Sequence, residues 1–380
     1  MISVLDVGDG ACTVLRARFG QGIAVVDCGS NDLGADEACE RLLGALGHRP
    51  EAITSIIITH FDTDHYAGFL RLAERMEMRG QRFPRLTLIA PRPPDTEPEY
   101  VARYLAMAML KTGIRNLDLV EALRRVTVDG RFCYVPVSRD RWSMFSAVDF
   151  EFSVHWPPVA LPAGVARQVR TALCQYESLA ARLKERGDST LDDNFEIARQ
   201  GLWPAPPYDA ARSSESPEEP DCRDDSFELE SFDGDDEDSF APDVRRLNLP
   251  PDLEETFRGA WDAFRRANNN MSIIFDDAEK HELVVFGDAG RAVLSSVMNR
   301  NELAVRYRAM LAPHHGTHRL PANFDVTAEL CVSQNGARRG HLWDRHLASH
   351  AGSTSCVSTR AGNHHLYDSA CGPCRCPWCS

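Results

Sequence analysis

The 380-residue sequence has no run of about eighteen or more apolar residues, the length a membrane-crossing helix needs. Its start, Met1-Ile2-Ser3-Val4-Leu5-Asp6, carries no basic residue, which argues against a secretory signal. A cytoplasmic location is therefore expected, with cysteines reduced unless they bind metal. There is no glycine-rich phosphate loop and no long parallel strand–helix–strand series. Basic residues occur as scattered pairs, Arg124-Arg125, Arg265-Arg266 and Arg338-Arg339, and form no stripe. Nothing in the charge pattern invites long duplex nucleic acid.

Acidic residues are concentrated in one place. Between Glu215 and Asp243 lie fourteen Asp or Glu residues against the single Arg223, so this stretch carries −13 of the formal −14 and leaves −1 for the rest. A folded part that is nearly neutral does not forbid an anionic substrate. From about residue 187 to 250 the chain is rich in Ser, Pro, Asp and Glu with little periodicity, the composition of a disordered insertion. Two readings of that insertion stay open: a plain solvated segment, or a cover that restrains nucleic-acid binding at a basic cleft. The expected organisation is a single domain over 1–367, interrupted by 187–250, with a cysteine-rich tail at 368–380.

Outside the insertion, short apolar runs bounded by turn residues read as strands. They include Ile2 to Val7, Ala11 to Arg18, Ile23 to Val26, Ser55 to Ile58, Leu86 to Ala90, Arg131 to Pro136 and Phe150 to His155. A second series follows at Met271 to Phe275, Leu283 to Phe286, Arg308 to Leu311, Glu329 to Ser333, Ser355 to Ser358 and His364 to Tyr367. Helices are expected at Ala35 to Leu46, from near Tyr66, and at Pro98 to Lys111, Val165 to Glu185, Leu253 to Ala267 and Leu342 to His350. Two packed sheets with outer helices fit this order.

The segment that carries chemistry is Thr59-His60-Phe61-Asp62-Thr63-Asp64-His65. Four potential metal ligands, His60, Asp62, Asp64 and His65, fall within six residues directly after the strand Ile56-Ile57-Ile58. Two imidazoles interleaved with two carboxylates suit borderline divalent cations, and such a loop can divide between two neighbouring ions. Further ligands are expected after later strands: Asp288 after Val284-Val285-Phe286-Gly287, the pair His314-His315 after Pro313, and His341 beyond Ser333-Gln334-Asn335-Gly336. Asp288 is suited to bridge two cations. Of the histidine pair, His314 is the preferred ligand, leaving His315 to face substrate or donate a hydrogen bond. His341 is either a group that stabilises a developing oxyanion or an ordinary loop residue. Phe61, Tyr66, Trp156 and Trp343 either stack on bases or pack in the core.

The tail Cys371-Gly372-Pro373-Cys374-Arg375-Cys376-Pro377-Trp378-Cys379 places four thiols within nine residues. An additional zinc, a metal cluster, oxidised pairs and a redox tail are all compatible with that spacing. The other eight cysteines, Cys28 included, are expected to be buried small residues.

The ordered cluster resembles the metallo-β-lactamase superfamily, whose usual His-x-His-x-Asp-His signature has Asp62 here in place of the middle histidine. That variant looks like the soluble hydrolase domain of ComEC-type DNA-uptake proteins. Leu5-Asp6-Val7-Gly8-Asp9-Gly10, Val25-Val26-Asp27-Cys28-Gly29, Asn268-Asn269-Asn270-Met271-Ser272-Ile273, Phe286-Gly287-Asp288-Ala289, Pro313-His314-His315-Gly316-Thr317 and the Ser333 to His341 loop are similar to its successive motifs. The resemblance touches about residues 1–155 and 268–367. It implies an α+β fold, a four-layer αββα sandwich, with two divalent metal ions, zinc or manganese. His60 and Asp62 would hold one ion, and Asp64 with His65 and a later histidine the other. Asp288 would bridge, Asp64 would also orient the nucleophile, and His315 or His341 would serve an oxyanion. The family also has a histidine before a proline in a mid-chain strand, and here Trp156 takes that place with His155 one residue early. The implied activity is a phosphodiesterase or nuclease on single-stranded nucleic acid or nucleotide-like phosphodiesters. Alternatives from the residues alone are a hydrolase of a small ester, lactone or thioester, and a metal-stabilised binding protein with impaired catalysis.

Overall fold

The structure, a computed structural model, describes residues 1–17, 22–112, 118–202, 249, 251–277, 279–350 and 352–366. They separate into two compact units: one of residues 1–92, 122–159 and 268 onward, and one of residues 93–121 and 160–267.

The first unit is built on two sheets of seven strands each. In chain order the first sheet takes β1 (Ile2–Val4), β2 (Cys12–Arg16), β3 (Ile23–Cys28), β4 (Ile53–Ile57), β5 (Leu86–Pro91) and β6 (Phe132–Val137), with α1 (Gly34–Ala45) and α2 (Thr63–Met78) between β3 and β5. The second takes β7 (Met144–Ala147), β8 (Phe150–Trp156), β9 (Ile274–Asp277), β10 (Leu283–Val285), β11 (Arg306–Leu311), β12 (Thr327–Ser333) and β13 (Ser355–Ser358); β14 (His364–Leu366) returns to the first. The strand orders are β14-β1-β2-β3-β4-β5-β6 and β13-β12-β11-β10-β9-β8-β7.

Each sheet is antiparallel in one half and parallel in the other. β3 to β6 pair in parallel, as do β10 to β13. The sequence shows no long parallel series, and the structure corrects this. The reason is visible in the connections: the two-turn helix Arg291–Met298 between β10 and β11 is too short to register as a periodic segment. β7 is also unforeseen, because it is a four-residue edge strand with Met144 exposed.

Strand alternation explains the layers. Val26, Ile57 and Ile89 from the first sheet meet Phe152, Phe275, Val285, Leu311 and Val332 from the second in one buried cluster. The rings of Phe152 and Phe275 pack edge to face at 5.0 Å. Each such side chain contributes roughly 1.5–3 kcal/mol by leaving water. The intervening residues Val25, Ile56, Leu88, Ile274, Val284, Met310 and Cys331 are buried as well. Both faces of both sheets are therefore covered, and the unit is the expected αββα sandwich. α2 lies against β3 so closely that a Cβ on Gly68 would stand 2.5 Å from Cys28 Sγ, which only glycine permits.

The parallel halves determine where a site forms. The carboxyl ends of β3, β4, β10, β11 and β12, or the chain just beyond them, carry Asp27, the 59–65 segment, Asp288, the 313–316 turn and Ser333-Gln334 respectively. Parallel sheets commonly build their sites at this edge, where loops rather than ladder bonds determine side-chain direction.

The second unit is helical among its described residues. It includes α3 (Tyr100–Thr112), α5 (Ala163–Lys184), α6 (Thr190–Leu202) and α7 (Pro251–Asn269), numbered with α4 (Leu119–Arg125) between the first two, and α8 and α9 denote Arg291–Met298 and Gly340–His346. Its core is aromatic: Tyr104 stacks on Trp261 at 5.8 Å, and Tyr100 lies 5.6 Å from Phe264. α6 falls inside the span 187–250 that composition assigns to the insertion. Leu191, Asn194 and Ala198 recur on one buried face at helical spacing, a signal masked by the acidic residues around it. Residues 203–248, with the acidic stretch, lie outside the described residues, as do Cys371, Cys374, Cys376 and Cys379. No helix among the described residues is long and apolar enough to cross a membrane.

Candidate metal centre

Seven of the expected groups converge at that edge. β4 ends at Ile57, and Asp62 then begins α2 in extended conformation, with φ −83° and ψ 148°. This turn brings His60 and the first helical residues Asp64 and His65 to one side. On the other side Gly287 takes φ +53° against Ser272, and the Ser272 hydroxyl accepts a 3.0 Å bond from Asp288 N–H. The next turn holds both His314 and His315 in left-handed backbone, φ 49° and 55°, anchored by the Ser333 hydroxyl donating to His315 O at 2.6 Å.

All four imidazoles are engaged at Nδ1. His60 Nδ1 lies 3.2 Å from the Thr59 hydroxyl, His65 Nδ1 2.9 Å from Asp27 Oδ2, His314 Nδ1 3.1 Å from Asp288 O and His315 Nδ1 2.9 Å from Gln334 O. Every Nε2 is thereby left to face the cluster. His60 Nε2 is buried without a hydrogen-bond partner, an arrangement that costs free energy unless a ligand completes it.

Asp288 stands in the middle. Its Oδ1 lies 3.4 Å from both His65 Nε2 and His315 Nε2, and its Oδ2 lies 3.9 Å from both His60 Nε2 and His314 Nε2. Asp62 Oδ2 is 3.5 Å from His60 Nε2, while its Oδ1 accepts a 2.9 Å bond from Asn268 Nδ2. Asp64 Oδ2 is 3.6 Å from His315 Nε2. Two triads, His60-His65-Asp288 and Asp64-His65-His315, each bring their ligand atoms within 4.8 Å of one another. Nitrogen and carboxylate oxygen at this density fit divalent cations of borderline hardness.

The charge balance of the protein alone agrees. Burial pushes the Asp288 carboxyl up, but His315, His314 and His65 outweigh it and hold the group well below the usual carboxylate range. Burial pulls the His65 imidazole down, and Asp288 and Asp27 reverse this and raise it well above the usual histidine value. Burial, with His318 beside it at 3.9 Å between ring centroids, keeps His314 well below that value.

Three assignments change. His315, buried and facing Asp64 and Asp288, is the inner member of the pair, whereas the preferred His314 sits at the rim with 16% of its side chain exposed. The successive left-handed residues turn the second ring inward, which no spacing rule anticipates. His155 does not join the cluster. Its Nε2 lies 2.8 Å from Asp276, which also accepts the Tyr307 hydroxyl at 2.5 Å, because the irregular register between Val154 and Trp156 turns it away. His341 is exposed at the start of α9, its Nδ1 3.0 Å from Arg338 O, and belongs to neither triad. Phe61, Tyr66, Trp156 and Trp343 are buried core residues.

Asp27 is the residue missed. It holds left-handed backbone at φ 55°, accepts from Thr59 N–H and the Thr59 hydroxyl at 2.8 Å each, and orients His65. A lone aspartate closing the apolar run Val25-Val26 was the available signal.

Residues 5–80 match the family model described as the metallo-β-lactamase superfamily. No curated protein matches the chain. Among solved structures, the metallo-β-lactamase fold protein YhfI from Bacillus subtilis is 14% identical over 40% of this chain and 52% of its own, with a TM-score of 0.25. The short form of human tRNase Z is 16% identical over 40% of this chain and 59% of its own, with a TM-score of 0.22. The chain thus spans between half and two thirds of the length of these structures. The resemblance to the metallo-β-lactamase superfamily thus rests on residues 5–80, and the two-sheet fold with its histidine–aspartate groups is compatible with it.

Proposed function

We propose that the chain is a binuclear metal-dependent phosphodiesterase acting on single-stranded nucleic acid or a nucleotide-like phosphodiester. The observation that carries this reading is Asp288, whose two oxygens face two different pairs of imidazoles. His60, Asp62, His314 and Asp288 Oδ2 would hold one cation; Asp64, His65, His315 and Asp288 Oδ1 would hold the other. Two cations, zinc or manganese, would lower the pKa of the attacking water and neutralise charge on the phosphoryl oxygens. Asp27 and Gln334 O fix the ring planes of His65 and His315, and Asp64 would orient the nucleophile. The resemblance to the ComEC-type hydrolase domain, carried by Asp62 in place of a histidine, points to the phosphodiester substrate class.

The test pairs metal analysis with a substrate panel. Protein loaded with zinc or manganese is expected to cleave single-stranded DNA or RNA, or a bis-nitrophenyl phosphate, and Asp64→Ala to abolish cleavage. Turnover confined to lactones, esters or thioesters would overturn the substrate class, and unchanged turnover in Asp64→Ala would overturn the site.

A further inference from the structure

Away from the metal centre, two thiols face each other across the edge of the second sheet. Cys331 on β12 and Cys356 on β13 are direct partners in a parallel register. Their side chains share the face opposite the one on which Val332 packs into the core. Neighbouring strands lie about 4.7–4.9 Å apart, inside the roughly 4.4–6.8 Å Cα separation that a disulfide bridges without moving backbone. Cys331 is fully buried, and Cys356, on the edge strand, is half-buried. The Cys331 ring-side neighbour is His350, whose Nδ1 lies 3.8 Å from Cys331 Sγ, while Cys356 Sγ lies 3.4 Å from His350 O. Both thiols are free.

We propose that Cys331 and Cys356 form a peroxide-reactive dithiol that closes to a cross-strand disulfide. The edge cysteine is the point of attack. The Cys356 thiolate displaces one oxygen of a hydroperoxide, its S–O bond forms as the O–O bond breaks, and the alkoxide or hydroxide leaves. Cys331 sulfur then attacks the sulfenyl sulfur of Cys356; the S–S bond forms, the S–O bond breaks, and water departs with the Cys331 proton. The two electrons lost by the thiol pair reduce the hydroperoxide.

The asymmetry of the pair supports this order. A hydrogen bond from Cys331 pulls the Cys356 thiol down to about 7 although burial opposes it, whereas Cys331 is pushed well up by the same hydrogen bond and by burial. Thiolate character combined with access determines which thiol meets an oxidant first.

The experiment treats the full chain with hydrogen peroxide and maps disulfides by peptide mass spectrometry after blocking free thiols. The exposed Cys133 and Cys174 serve as internal controls. The expected result is a Cys331–Cys356 cross-linked peptide that appears at least about tenfold faster than oxidation of either control. In Cys331→Ser, Cys356 is expected to stop at the sulfenic acid and be captured by dimedone, and in Cys356→Ser, Cys331 is expected to stay reduced. Oxidation of Cys356 no faster than the two controls, or its pairing with a cysteine other than Cys331, would overturn the proposal.

Discussion

His65 Nε2 and His315 Nε2 face each other at 3.1 Å, although neither ring has a second proton to share in its neutral form. His315 Nδ1 points at a backbone carbonyl, which only accepts, so that nitrogen carries the ring proton; His65 Nδ1 likewise points at the Asp27 carboxylate. In metal-free protein the extra proton held by the raised His65 lies between the two nitrogens, with Asp288 Oδ1 3.4 Å from each. A cation would take the place of that proton among the same donor atoms. The metal is therefore expected to be part of the fold's stability as well as its chemistry.

A melting experiment checks that consequence. Manganese or zinc at about a hundred times its dissociation constant should add about 2.7 kcal/mol per site to unfolding, and chelation should remove it. Calorimetry with and without chelator measures the difference, and an unchanged melting temperature would count against a buried metal centre.

Asp27→Asn should loosen metal without unfolding the chain. The variant keeps the shape but not the charge that orients His65, and outer partners of this kind are worth about 10–100-fold in metal affinity. Competition titration against a coloured chelator reads that loss, with circular dichroism as the folding control. Equal affinity in both proteins would remove Asp27 from the account.

His155→Ala and His341→Ala should leave metal content unchanged. His155 is held by Asp276 on another part of the second sheet, and His341 is exposed on α9. A fall in metal content in either variant would return that histidine to the ligand set.

The pH dependence has a definite sign in metal-free protein. His65, raised above its unfolded value by Asp288 and Asp27 against burial, contributes stability that is fully present below the unfolded histidine pKa and is lost as pH rises through its folded value. Asp288, depressed by three imidazoles against burial, contributes stability present above the unfolded aspartate pKa and lost as pH falls through its folded value. Metal must displace the His65 proton, so affinity should climb with pH up to the raised His65 value. Isothermal titration in buffers of different ionisation enthalpy detects the released proton; affinity independent of pH would contradict the assignment.

Phe152→Ala tests the sandwich apart from the site. Removing this buried ring should cost about 3–5 kcal/mol, read by urea unfolding, with metal stoichiometry preserved in the folded fraction.

The sequence revealed most of the architecture and most of the residues that the structure gathers at the candidate centre, because both depend on local signals. Short apolar runs ending in glycine, proline or aspartate marked the strands, and the strand ends carried His60 to His65 and Asp288. The helical unit was less legible. α6 is embedded in acidic composition, and the grouping of α3, α5, α6 and α7 into one unit depends on contacts between aromatic residues such as Tyr104 and Trp261, far apart in the chain. Side-chain direction was the other gap. Whether His314 or His315 turns inward depends on left-handed backbone at both positions, and the fate of His155 depends on an irregular pairing with β9. The role of Asp27 depends on a partner 38 residues away.

The most direct measurement is the electron paramagnetic resonance spectrum of manganese-loaded protein, taken alongside cleavage of a single-stranded oligonucleotide. Manganese, which favours oxygen and nitrogen donors, reports on the histidine–aspartate centre rather than on thiols. The expected result is an exchange-coupled pair, as two ions about 3.5–4 Å apart would give, lost in Asp288→Ala together with cleavage. An isolated-ion spectrum in a protein that cleaves no phosphodiester would contradict the binuclear phosphodiesterase.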